Sequence, residues 1–178
     1  MTGEEIRQAV KARFPEAVIS DEAARDMDTL YIKPEALIEV CTFLRDDPST
    51  DMAMLTDETA IDWATRKSPR FELVILLLSF KHDHRIRLKV PLEGEYPEFD
   101  SLVPVWKVAN WLEREIYDMF GIRAKGHPNL RRILTHEDFE GHPLRKEYPV
   151  NRRQPIRPPV EDLLTPKPYL GSDSTPKA

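Results

Sequence analysis

From Leu73 to Leu78 the chain runs through six aliphatic residues without interruption, inside a longer apolar stretch from Phe71 to Phe80. A run this apolar and this short reads as a central strand covered on both faces. It is far below the about 20 residues a membrane-spanning helix needs. Beyond Lys81, His82, Asp83 and His84, the residues Ile86, Leu88 and Val90 alternate with Arg85, Arg87 and Lys89. That is a half-buried strand with a basic outer face, and the short polar link makes the two strands a hairpin. The fold must be built around this pair.

The surrounding sequence supplies helices and further strands. Ile6, Ala9, Val10 and Phe14 recur at helical spacing over Glu4 to Phe14, with Pro15 as the stop. A short strand covers Thr29 to Lys33. Pro34 opens a helix whose buried stripe is Leu37, Ile38, Cys41 and Leu44 (or Phe43) and which ends near Asp46-Asp47-Pro48. Met52 to Trp63 reads as a strand with a polar interruption. A helix begins after Asp100 and Ser101, either of which can cap it, with Pro104 in its first turn. Its stripe is Val105, Val108, Ala109, Leu112, Ile116 and Met119, and Gly121 is placed to end it. The expected fold class is α+β, a small mostly antiparallel sheet packed with helices, followed by an irregular extended C-terminal segment.

Three regions follow. Residues 1–121 form the α+β domain, residues 122–149 an irregular basic segment, and residues 150–178 an extended tail; seven prolines lie from Pro149 onward. Charge divides the chain as well. Residues 1–60 hold 6 basic and 14 acidic residues, net −8, whereas residues 121–160 hold 9 and 4, net +5, so the two ends are expected to face different partners. The overall charge of −5 argues against general nucleic-acid binding. The basic segment also lacks aromatics interleaved with its cations, which weakens an RNA-binding reading. The acidic start, with neither basic residues nor an apolar stretch, predicts no secretory signal and an intracellular protein. A single cysteine, Cys41, cannot supply the four ligands an iron–sulfur cluster or a structural zinc requires, and it reads as a buried thiol.

Several charged groups invite a catalytic reading. Glu113 and Glu115 are about 200° apart around a helix, so they cannot share a substrate. Arg114 and Asp118 are spaced as an i, i+4 ion pair. A structural ion-pair role is therefore expected for this group. His82 and His84 read as a polar hairpin tip, without a third metal ligand at fitting spacing. The segment that follows the last helix is more distinctive. Gly126-His127-Pro128 leads to Leu130, Arg131 and Arg132, and the pattern returns as Gly141-His142-Pro143 with Leu144, Arg145 and Lys146. Each copy describes a rigid turn presenting two cations. Its histidine can act as a general base or ligand, or hydrogen-bond the backbone of an irregular segment. Neither a phosphate-binding glycine loop nor a nucleophile elbow is present.

From Trp111 to Ile122, and on through both Gly-His-Pro turns to Tyr148 and Pro149, the sequence closely resembles the C-type subunit of the proton-pumping NADH–quinone oxidoreductase, respiratory complex I. The match is dense over about 40 residues, and the order of elements from residue 28 onward is consistent with it. The resemblance implies a cofactor-free subunit of the hydrophilic arm on the cytoplasmic side of the bacterial inner membrane. Membrane contact is then indirect, and the iron–sulfur clusters and FMN reside in partner subunits. Those partners include the D-type quinone-site subunit, along which the tail would lie, and the cluster-bearing B- and I-type subunits. The family pattern falls on Glu113, Arg114, Glu115, Asp118, His127, Arg131, Arg132, His142, Arg145 and Lys146, which carry a structural or partner-interface role and no catalytic one. Related hydrogenases and ferredoxin- or F420-linked complexes use a similar subunit. The competing expectation is a stand-alone hydrolase or transferase acting on an anionic substrate.

Overall fold

The computed structural model describes residues 2–23, 27–152 and 154. The expected tail therefore lies outside the described residues, apart from its first few positions. Helix α1 (Gly3–Arg13) starts at a reciprocal cap, in which Thr2 accepts from the Glu5 N–H and the Glu5 carboxylate accepts from the Thr2 N–H. Strands β1 (Val18–Ala23) and β2 (Asp28–Ile32) follow. A single 3₁₀ turn at Pro34–Ala36 then leads into α2 (Leu37–Asp46). Next come β3 (Met54–Asp62), β4 (Phe71–Ser79), β5 (His84–Leu92) and β6 (Glu98–Asp100), then α3 (Ala109–Phe120) and β7 (Arg123–Lys125).

The main sheet has the order β1-β2-β5-β4-β3 and is antiparallel except where β2 meets β5. The β4–β5 hairpin is central, as the apolar run predicts. Phe71, Leu73, Ile75 and Leu77 of β4 join Ile86, Leu88, Val90 and Leu92 of β5 on the inner face, all essentially fully buried. Ile6 and Val10 of α1, Leu37, Val40, Cys41 and Leu44 of α2, and Ala109, Ile116 and Met119 of α3 complete the same core. The helices cover that one face. The outer positions of β4 are not under a second layer of described helix. Glu72 is engaged there by Lys67 and Lys89, and Val74, Leu76 and Leu78 have Lys89, Arg87 and Arg85 as cross-strand partners. Long basic stems beside aliphatic residues can shield them while keeping their charges in water.

Two further departures have local causes. β1 is a strand the sequence pattern does not announce; it is an edge strand, mostly exposed and paired with β2 alone. Helix α3 begins at Ala109, not after Ser101. The intervening residues close their own turns, with the N–H groups of Val105 and Trp106 both donating to the Leu102 carbonyl. That places Val105 and Trp106 in the core and leaves Val108 46% exposed, off the buried stripe expected of it. A second, two-stranded parallel sheet of β6 and β7 brackets α3, so the helix enters and leaves at one edge.

Candidate functional site

An α-helix ends with four carbonyls that have no partner within the helix. At the end of α3 the following segment supplies one for each. Gly121 takes a left-handed conformation at φ 73° and its N–H donates to the Tyr117 carbonyl at 2.9 Å. His142 Nδ1 donates to the Asp118 carbonyl at 2.9 Å, the Leu144 N–H to that of Met119 at 3.0 Å, and Arg145 Nε to that of Phe120. Because a carbonyl only accepts, His142 carries its hydrogen on Nδ1. Burial, the largest influence, pulls its pKa below the ordinary histidine value. A Cβ on Gly121 would lie 2.5 Å from His142 Nε2, so glycine is required for conformation and for space.

The first Gly-His-Pro turn secures the opposite end of the helix. His127 Nε2 donates to the Asn110 carbonyl at 3.1 Å, and its Nδ1 accepts from the Asn129 N–H at 3.0 Å. Both ring nitrogens of His127 are thereby occupied. Of the two roles open to these histidines, the geometry selects backbone bonding.

Asp118 organises the loop between the turns. Its buried carboxylate accepts from Arg132 Nη1 at 2.7 Å, from the N–H groups of Ile133, Leu134 and Thr135 at 3.0, 2.8 and 2.8 Å, and from the Thr135 hydroxyl. Burial alone would raise its pKa, but these bonds outweigh it and hold the group at about 2. Arg132 also donates to the carbonyls of Phe139 and Gly141, both at 2.9 Å. The expected i, i+4 pair between Arg114 and Asp118 is replaced. Arg114 reaches the carbonyls of Arg131 and Arg132 at 3.1 Å, while a loop arginine takes the carboxylate. A loop wrapped over the helix supplies more donors than one residue a turn away can.

The other expected residues divide between inside and outside. Glu113 is buried and accepts from the Ser101 hydroxyl at 2.7 Å and the Leu102 N–H at 2.6 Å, which ties the irregular 101–108 segment to α3. Burial raises its pKa to about 7 against these bonds. Glu115 is exposed on the far side, as helix geometry requires. Arg145 is 6% exposed and lies inside the domain; it donates to the Glu95 carbonyl at 2.8 Å and stacks 4.5 Å from the Tyr96 ring centre. The exposed Lys146 contributes its N–H to Asp62 at 2.8 Å. Asp62 is a second hub that the sequence reading missed. Arg70 grips it through two nitrogens at 2.7 and 2.6 Å and also pairs with Glu147, fastening residues 145–148 to the end of β3. Only tertiary proximity reveals that arrangement, since Asp62 and Lys146 are far apart in sequence.

Several apolar side chains remain exposed on and beside α3. Trp111 is 60% exposed and Leu134 64%, with Val108 one turn before Trp111 and Glu115 one turn after it. The Arg114 guanidinium lies over the Trp111 ring at 5.2 Å. Among the described residues no three His, Cys, Asp or Glu side chains converge as a metal site. No described helix is long and apolar enough to cross a membrane.

An α+β domain whose polar side chains lock its own loops, and which leaves Trp111 and Leu134 uncovered, has the build of a subunit within a larger assembly. The comparisons with known proteins agree. The family described as respiratory-chain NADH dehydrogenase, 30 Kd subunit, matches residues 30–154, and the chain belongs to that family. The C-type subunit of the NADH-quinone oxidoreductase of Citrifermentans bemidjiense is 43% identical over 156 residues, covering 88% of this chain and 94% of the relative. Its counterpart from Roseiflexus sp. (strain RS-1) is 41% identical over 149 residues, covering 84% and 85%. Among solved structures, a trypsin-resistant fragment of Nqo5 is 28% identical with a TM-score of 0.60, covering 72% of this chain and all of the fragment. A chain of the membrane-bound sulfane sulfur reductase, an archaeal respiratory membrane complex, shares the fold at a TM-score of 0.69 and 18% identity, covering 84% of this chain and 86% of its own.

Proposed function

We propose that this chain is a cofactor-free structural and assembly subunit of the hydrophilic arm of NADH–quinone oxidoreductase. The complex passes electrons from NADH through FMN and iron–sulfur clusters in other subunits to quinone and couples that transfer to proton translocation. The subunit sits on the cytoplasmic side of the bacterial inner membrane and touches the membrane only through its partners. The D-type quinone-site subunit and the cluster-bearing B- and I-type subunits are those partners.

The observation that carries this reading is the use made of the two Gly-His-Pro turns. Their histidines and Arg132 bond the backbone of α3 and its loop, so neither turn presents its histidine for acid–base work. A scaffold needs such rigidity, whereas a hydrolase acting on an anion would need its histidines and arginines turned toward the substrate. The exposed Trp111 and Leu134, with the half-buried Arg114 over the indole, have the composition of an interface centre, where tryptophan and arginine dominate affinity. Affinity purification of the tagged chain from its native membrane, followed by mass spectrometry, tests the proposal. Recovery of the D-, B- and I-type subunits in equal amounts is expected. Recovery of the chain alone, with turnover of an anionic substrate, would favour the stand-alone enzyme.

A further inference from the structure

Glu58 lies on the inner face of β3, opposite Ile75 of β4. It is 2% exposed, and neither carboxyl oxygen has a hydrogen-bond partner among the described residues. Other buried acids are provided for: Asp62 has Arg70, Asp118 has Arg132, and Glu72 has Lys67 and Lys89. The titratable groups facing Glu58 offer no such relief. Among the described residues they are Glu113 from α3 and the buried Cys41 thiol of α2, whose own pKa is raised by burial and by Glu58, while Asp57, on the opposite face of β3, adds a further negative charge one residue away. An ionised carboxylate in such surroundings is so costly that the group keeps its proton instead.

We propose that Glu58 and Glu113 form a pH-sensitive latch beneath α3, in which the helix seats fully on β3 only while Glu58 is protonated. Glu113 differs from Glu58 in accepting hydrogen bonds from the Ser101 hydroxyl and the Leu102 N–H, which stabilise its negative charge. It therefore ionises first, and its charge then opposes ionisation of Glu58. Burial, followed by the neighbouring acids Glu113 and Asp57, pushes Glu58 well above the ordinary carboxylate range. The sign follows from proton counting. A carboxyl whose pKa is raised on folding contributes its full stability below its unfolded value, near 4.5, and loses it as the pH rises through the folded value. Because α3 carries Trp111 and anchors both Gly-His-Pro turns, loosening it would disturb the whole C-terminal half of the domain.

The test uses the full chain and the variants Glu58→Gln and Glu58→Leu. Infrared spectra at pH 6, above the ordinary carboxylate range, should show a stronger protonated-carboxyl band in the wild type than in Glu58→Gln, where Glu113 alone remains to contribute. Denaturant titrations between pH 6 and 8 should show the folding equilibrium of the wild type weakening by up to about tenfold per pH unit more than that of Glu58→Leu, the slope of one proton. The leucine variant keeps the comparison available should glutamine fold poorly. A protonated-carboxyl band at pH 6 no stronger in the wild type than in Glu58→Gln, or identical pH slopes for wild type and Glu58→Leu, would overturn the latch.

Discussion

Replacing Gly121 with alanine separates the two reasons for glycine at the end of α3. The residue sits at φ 73°, where a Cβ costs about 1–2 kcal/mol for backbone conformation alone. The new methyl would also come within 2.5 Å of His142 Nε2, and the imidazole cannot move without releasing the Asp118 carbonyl it caps. Losing that bond leaves the Asp118 carbonyl with only a long contact to Arg132 Nη1 at 3.4 Å, at a further cost of about 1–3 kcal/mol, so the total should be about 2–5 kcal/mol. Gly126 is an internal control. It has φ 79° but open space where its Cβ would go, so Gly126→Ala should carry the backbone cost alone. In thermal melts, at about 2–4 °C per kcal/mol for a chain of this size, Gly121→Ala should melt roughly 4–20 °C lower, and in any case lower than Gly126→Ala, whose backbone cost alone is worth only a few degrees. Combining Gly121→Ala with His142→Ala removes the clash, so the double variant should be less destabilised than the sum of the singles by about 1–2 kcal/mol. Equal melting temperatures for the two glycine variants, or simple additivity in the double, would refute the claim that the second Gly-His-Pro turn holds the helix end.

Asp118→Asn should lower stability at neutral pH by about 3 kcal/mol, because Arg132 loses its charge partner and three backbone N–H groups share a weaker acceptor. Since the Asp118 pKa falls from 3.8 to about 2 on folding, its contribution is complete above pH 4 and disappears as the pH drops through 2; acid titration of wild type and variant should converge there. Arg145→Ala should destabilise the free subunit by about 3 kcal/mol in denaturant titrations, through the lost Phe120 and Glu95 carbonyl bonds and ring stacking. Arg131→Ala, at an exposed position, should leave stability within about 0.5 kcal/mol while lowering the amount of assembled complex on native gels. Leu134→Asp should behave like Arg131→Ala in melts and weaken assembly at least tenfold.

β5 and the helix stripes were legible because burial on one side of a strand or helix leaves an apolar repeat, whereas β4 was legible from its unbroken apolar run, although its outer positions are shielded by basic side chains of β5 and not by a second layer of described helix. β1 left no such trace, since an exposed edge strand has no face to hide and its Ser20-Asp21-Glu22 centre lacks strand-forming side chains. The start of α3 was misplaced because Val105 and Trp106 are apolar for the sake of a separate buried turn. The Gly-His-Pro turns were visible as rigid elements from their residues alone. What they grip was not, because the partners are backbone carbonyls, which every residue possesses. Glu113 and Glu115 were correctly divided by helix angle, yet the angle does not tell which of them is buried. Glu58 stood in the sequence as a polar interruption of a strand; its position under α3 depends on a contact with residues more than fifty positions away.

A subunit that folds by its own internal bonds and works through its outer α3 face is the central claim. The most direct measurement is NADH–quinone reductase activity in membranes of cells lacking the chain, complemented by wild type or by the double variant Trp111→Ala, Leu134→Asp. Loss of activity on deletion, recovery with the wild type, and failure of the double variant, although it melts like the wild type, are the predicted results. Full activity without the chain, or full recovery with the double variant, would contradict it.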